Sequence, residues 1–124
     1  MKTSERYPVT QGDVIVNYAS SLFDRTEVTA PSLPADVFCG DILDSKTFTL
    51  FDSAAADAGK PIINLSHNMS ADGKPKTLVI VDRHVVITDF ALRAKDAASK
   101  KAALEALTAS GDIRLAINAD YFKA

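Results

Sequence analysis

Asp82, His84 and Asp89 are the chain's nearest approach to a catalytic cluster. An imidazole beside a carboxylate is the simplest general-base pair, and a strand carries residues two apart on one face. Asp82-Arg83-His84, however, lies between two apolar runs where the chain has to turn. Polar residues are favoured in turns because they bond to nearby backbone groups. Turn chemistry is therefore the stronger account, and a small hydrolase-like enzyme using His84 with Asp82 or Asp89 is the rival. His67 follows Ser66 and precedes Asn68, but triad members meet through the fold, not by adjacency, so it reads as a solvated loop histidine. Cys39, the single cysteine, sits among apolar neighbours and reads as a small core residue. Alone it makes no internal disulfide and no cysteine-based zinc site.

The remaining chemistry-bearing residues are dispersed. Thirteen of the sixteen acids are Asp, standing at turns and strand ends where local hydrogen bonds favour them. No calcium-loop pattern and no glycine-rich phosphate cradle occurs in the sequence. The expectation is a chain with no catalytic residues, no cofactor and no metal. The 124 residues suit one domain, and a chain of this length buries enough surface to fold without staples. A net charge of −2 argues against nucleic acid, whose partners carry a basic face. Met1 to Arg6 lacks the apolar run of a signal peptide, and no stretch is long and apolar enough for a membrane span. A soluble protein made in a cytoplasm is expected.

The elements available to position these residues divide the chain near residue 35. Residues 1–34 read as an extended N-terminal arm, polar and punctuated by Pro8, Pro31 and Pro34, with no helical periodicity. Its one strong pattern is the β-branched and aromatic run from Val14 to Tyr18. Residues 35–124 read as a compact β-rich body. Val37 to Leu43 suggests a strand bent at Gly40, and Lys46 to Phe51 alternates polar and apolar residues as a strand does. Asp52 to Lys60 reads as a loop or one short helical turn, and Pro61 to Leu65 as a short strand. Thr77–Val81 and Val85–Thr88 are the strongest strands, expected to form a hairpin through Asp82-Arg83-His84.

One helix is predicted late in the chain, capped by Asp96 or Ser99, with Leu104 and Leu107 forming a thin apolar stripe and Ser110-Gly111 ending it. Ile113, Leu115 and Ile117 then alternate as a closing strand. The fold class expected is α+β: a mainly antiparallel β body of small mixed sheets with one surface helix. Val14, Ile15, Val16 and Tyr18 need a surface to cover them. An arm obtains one by adding a strand to a partner's sheet edge, and the alternative is pairing within its own domain.

From Gly40 onward the chain resembles the head decoration proteins of lambda-like tailed phages. The resemblance lies in the order Gly40-Asp41-Ile42-Leu43, Lys46 to Asp52 with the Ala54–Gly59 loop, Ile62 to Leu65, Thr77 to Thr88, Phe90-Ala91-Leu92, Ala103 to Leu107 and Gly111 to Leu115. It covers about two-thirds of the chain and is one of order and texture. It implies a structural virion protein, a homotrimer cementing the outside of the expanded capsid at three-fold and quasi-three-fold junctions of the major capsid protein. Such a protein stabilises the head against packaged DNA and has no enzymatic activity. The N-terminal arm would carry the capsid contact, here Tyr7, Val9, Val14, Ile15, Val16 and Tyr18. In its large apolar residues this arm departs from the family's short, Thr/Pro/Gly-rich one. A subunit of a tail or head fibre is the other structural reading.

Overall fold

A computed structural model describes residues 11–18, 25–67, 69–82 and 85–116. Tyr7, Val9, Arg83 and His84 lie outside the described residues. The fold is α+β and mostly strand, as expected. A helical turn, α1 (Gln11–Val14), leads into β1 (Ile15–Tyr18), and β2 (Arg25–Ala30) follows. Then come β3 (Ile42–Asp44), β4 (Pro61–Ile63), β5 (Lys76–Val81) and β6 (Val85–Thr88). Helix α2 (Ala97–Thr108) and β7 (Ile113–Ala116) complete the series.

Among the described residues the strands form three small sheets, ordered β1-β6-β7, β2-β5 and β3-β4. All pairs are antiparallel except β6 with β7, which is parallel. The exception follows from the helix between them, because two parallel neighbours need a long crossover and α2 supplies it. Asp96 caps α2 by accepting the Ser99 amide at 2.7 Å, and Ser99 and Ala103 are the residues it buries. Small side chains on that face let the helix lie close to the body. The buried Ser99 hydroxyl accepts the Ser53 amide at 2.9 Å, tying the helix start to the 52–60 loop.

The continuous apolar runs of β3, β4 and β5 have a simple cause. Alternate side chains on a strand point to opposite faces, and both faces here are covered. Ile42 and Ile63 enter one core, whereas their neighbours Leu43 and Ile62 enter another. On β5, Val79 and Val81 join the first core while Leu78 and Ile80 fill the second. The bridge between Asn64 and Ile80, with the Leu65 amide donating to Val79 at 2.7 Å, joins β4 to β5. A ribbon of strands thus separates two apolar cores.

Four expectations are corrected by this arrangement. Of the arm assigned to residues 1–34, the described stretches 11–18 and 25–34 contribute strands and core residues to the body. Val14 and Ile15 are buried in the first core and β1 pairs with β6, with Ile15 opposite Ile87. β2, which the Thr-rich sequence concealed, pairs with β5 through six residues, and Ala30 and Leu33 enter the second core. Residues that close a sheet and fill a core cannot serve as a detached arm. The hairpin from Thr77 to Thr88 is not formed either, because β5 and β6 belong to different sheets. Each finds a better-covering partner in β2 and β1, segments distant in sequence.

Lys46 to Phe51 is a turn and irregular chain rather than a strand. The Asp44 carboxylate accepts the Lys46 amide, its carbonyl accepts the Phe48 amide, and Phe48 has a φ of 60°. Local hydrogen bonding here outweighs the alternating pattern, and Leu50 retains one bridge to Leu43. Finally, the strand expected over Val37–Leu43 is regular only from Ile42, because Gly40, at φ 92°, turns the chain just before it.

Candidate functional site: an aromatic groove braced by an ion pair

The turn from Phe38 to Asp41 builds one edge of a groove on the surface. Asp41 is buried, yet both its oxygens are satisfied. Arg93 grips them in a fork, Nε to Oδ1 and Nη2 to Oδ2, each at 2.9 Å, and the Phe38 amide donates to Oδ2 at 2.9 Å. Two parallel charge-assisted bonds fix the guanidinium plane as well as its position. The fixed guanidinium lies over the Phe38 ring, 5.4 Å from its centroid. The Asp41 carboxylate and hydrogen bonding to it hold the Arg93 pKa above its ordinary value. Backbone bonds from Arg93 N to Gly40 O and from Ile42 N to Arg93 O lock the two segments side by side.

Phe38 consequently stays 40% exposed in a rigid setting. It edges a groove of about 550 Å³ whose lining includes Val37, Leu43, Phe48 and Leu50, with Arg93 and Lys95 at the rim. Phe48 reaches the groove from a backbone conformation that a bulky residue rarely adopts, at a cost of about 1–2 kcal/mol. The Lys95 ammonium bonds Asp52 at 3.0 Å, which lowers the Asp52 pKa and raises that of Lys95. Asp36 accepts the Ala71 amide at 2.9 Å. Each lining carboxylate is therefore already engaged. Such a groove is suited to gripping an apolar side chain between aromatic walls, with the Asp41–Arg93 and Asp52–Lys95 pairs in its lining.

The sequence-based candidates fall elsewhere. Val14 and Ile15 are core residues, and Val16 and Tyr18 lie on β1 against β6, so none of the four belongs to a free arm. Asp82 directly follows β5 and Asp89 directly follows β6, and Asp89 forms an ion pair with Lys100 at 2.9 Å. His67 is exposed, as a loop histidine should be. Cys39 is buried, its thiol 3.5 Å from the Leu65 carbonyl. Among the described residues no cluster of three or more His, Cys, Asp or Glu is placed to hold a metal, and no helix is long and apolar enough to cross a membrane. The groove was missed because its walls come from three separated segments, and only Asp41 and Arg93, far apart in sequence, bring them together. A buried acid inside an apolar run, Asp41 before Ile42-Leu43, was the one signal present.

The groove therefore presents a braced aromatic surface on a small α+β body. Comparisons with protein-family models, curated proteins and solved structures found no match to this chain.

Proposed function

We infer that this chain is a structural assembly protein: a capsid decoration protein of a tailed phage, bound as homotrimers outside the expanded head to the major capsid protein. The observation that carries this reading is the groove around Phe38, a rigid apolar contact surface whose carboxylates are all engaged. The order of segments from Gly40 to Leu115 that resembles lambda-like decoration proteins supports it, as does the small body of short sheets with a late surface helix. Many identical weak contacts suit a cement protein, because a trimer binds with avidity that no single contact supplies.

The capsid-binding segment is now narrower than residues 1–34. We assign that role to the residues before Gln11, including Tyr7 and Val9. The test pellets expanded, undecorated phage heads with the purified protein and counts bound copies per capsid subunit. Saturation near one copy per subunit, at three-fold junctions, is the expected result, and no binding to any head form would overturn the reading. A deletion of residues 1–10 completes the test. It spares Gln11, whose Nε2 donates to the Leu65 carbonyl at 3.1 Å, and should leave a folded protein that no longer decorates heads. A deletion of residues 1–20 would be uninformative, since it removes β1 and two core residues.

A further inference from the structure

Asp72-Gly73 is the one Asp-Gly pair in the sequence, which holds no Asn-Gly. It lies in the exposed bend that leads into β5. The Asp72 amide donates to the Ser70 carbonyl at 3.1 Å, and the Lys74 amide donates to Asp72 Oδ1 at 3.1 Å. The second bond folds the carboxyl group back over the backbone that follows it, where the Gly73 nitrogen stands. Gly73 has a φ of 78°, and a Cβ built there would meet nothing within 4 Å, so no other segment crowds the position. The Asp72 side chain is itself 40% exposed, which leaves the bend open to water.

We propose that Asp72 is a site of spontaneous backbone modification, closing to a cyclic imide with Gly73 and reopening as an isoaspartyl linkage. The Gly73 nitrogen attacks the carboxyl carbon of the neutral acid. A C–N bond forms, a C–O bond breaks, and the hydroxyl leaves with the nitrogen's proton as water. Water then adds back at either imide carbonyl. One opening restores Asp72, and the other routes the main chain through the former side chain and frees the α-carboxylate. Lys76 restrains the first step. Its ammonium bonds Asp72 Oδ2 at 2.9 Å and, with the Lys74 amide, holds the carboxyl below the usual carboxylate range. The ionised group cannot lose its oxygen as water. The pair is exposed, so this restraint is partial and weakens with salt. The altered linkage falls between two tethers: the Ala71 amide, held by Asp36 of the groove lining, and Lys76, opposite Ala30 at the end of the β2–β5 pair. Buried Leu78 lies beyond the second, so the change disturbs the edge of the groove and the strand end while sparing the core. Nothing in this inference depends on the decoration reading.

The experiment ages the full chain at physiological temperature and about pH 5, above the ordinary aspartate range but close enough to it to populate the neutral acid. Isoaspartate is counted by carboxyl methylation with an isoaspartate-specific methyltransferase and assigned to residues by fragmentation mass spectrometry. It should accumulate steadily at Asp72, with the other aspartates at background. Lys76→Gln should speed the accumulation by about two- to five-fold, the scale of an exposed ion pair. Added salt should speed the wild type and leave Lys76→Gln unchanged. Gly73→Ala, which sets a methyl group beside the attacking nitrogen, should slow it several-fold. The wild type and Lys76→Gln held unfolded in urea should age alike, which separates loss of the ion pair from loss of folding.

No isoaspartate at Asp72 in the aged folded chain would overturn the proposal, whatever the urea-held chain does. Isoaspartate spread to a similar extent over the other aspartates would overturn it as well. A Lys76→Gln chain that ages at the wild-type rate would overturn the restraint assigned to Lys76.

Discussion

Asp41 and Arg93 illustrate how unequal the two halves of an ion pair can be. Asp41 is 3% exposed at its side chain, whereas Arg93 is 41% exposed. Removing the acid leaves the Phe38 amide without its acceptor and frees the guanidinium from its brace, whereas removing the arginine leaves a buried carboxylate. Both substitutions to Ala are therefore expected to destabilise by about 1–3 kcal/mol. Their separate consequences differ: Asp41→Ala loosens the 38–41 turn, while Arg93→Met retains aliphatic cover and tests the charge alone. Denaturant unfolding of the three variants measures the difference, and a neutral Asp41→Ala would show that the turn holds by its backbone. Gly59 gives a second residue-scale expectation. A Cβ there would stand 2.5 Å from the Asp44 Oδ1 atom and 2.8 Å from the Lys46 side chain. Asp44 cannot easily retreat, since its Oδ2 accepts the Gly59 amide at 2.8 Å. Gly59→Ala should cost about 1–3 kcal/mol, read as a lower unfolding midpoint.

At the scale of elements, β1 decides whether the N-terminal third is arm or body. Ile15→Ala removes a buried side chain opposite Ile87 and should destabilise the protein by about 2–5 kcal/mol. The same change on a detached arm would leave the unfolding midpoint where it is. Helix α2 supplies a pH dependence with a definite sign. The Ser99 amide lowers the Asp96 pKa from its ordinary 3.8, and Lys95 does the same for Asp52. The unfolded chain then takes up protons before the folded one as the solution is acidified. The contribution is complete above the ordinary aspartate value and is lost as pH falls through the lowered ones. Thermal unfolding followed from about pH 6 to about pH 2 should show falling midpoints, with a weaker slope in Asp96→Asn. Because these groups are exposed, salt should flatten the Asp52–Lys95 part.

For the whole molecule, the governing feature is a ribbon of strands between two cores. It explains why β3, β4 and β5 read as apolar runs without clear alternation. It also explains how a chain of this size holds several short sheets together, since β5 contributes to both cores at once. β6 is central in its sheet, with β1 on one side and β7 on the other, so the N-terminal and C-terminal parts meet on it. Phe90 then emerges where β6 ends, and Arg93 returns the chain to the groove. Groove and core are thus built from the same short stretch.

Much of this was legible along the chain. The class α+β, the capped helix with its Asp96 start, the Gly40 bend, the 52–60 loop and the buried nature of Cys39 all depend on neighbours a few residues away. Local hydrogen bonds and side-chain periodicity decide such features, and both are written in sequence order. Pairing is a different matter. Thr77–Val81 and Val85–Thr88 carry the pattern of a hairpin, yet β2 and β1 claim them. Val14 and Ile15 carry the pattern of an unpaired arm, yet they complete the core. Which strand covers which depends on burial summed across segments distant in sequence, and only the tertiary structure performs that sum. The groove is the same case, for Phe38, Phe48 and Arg93 become a site when Asp41 is buried between them.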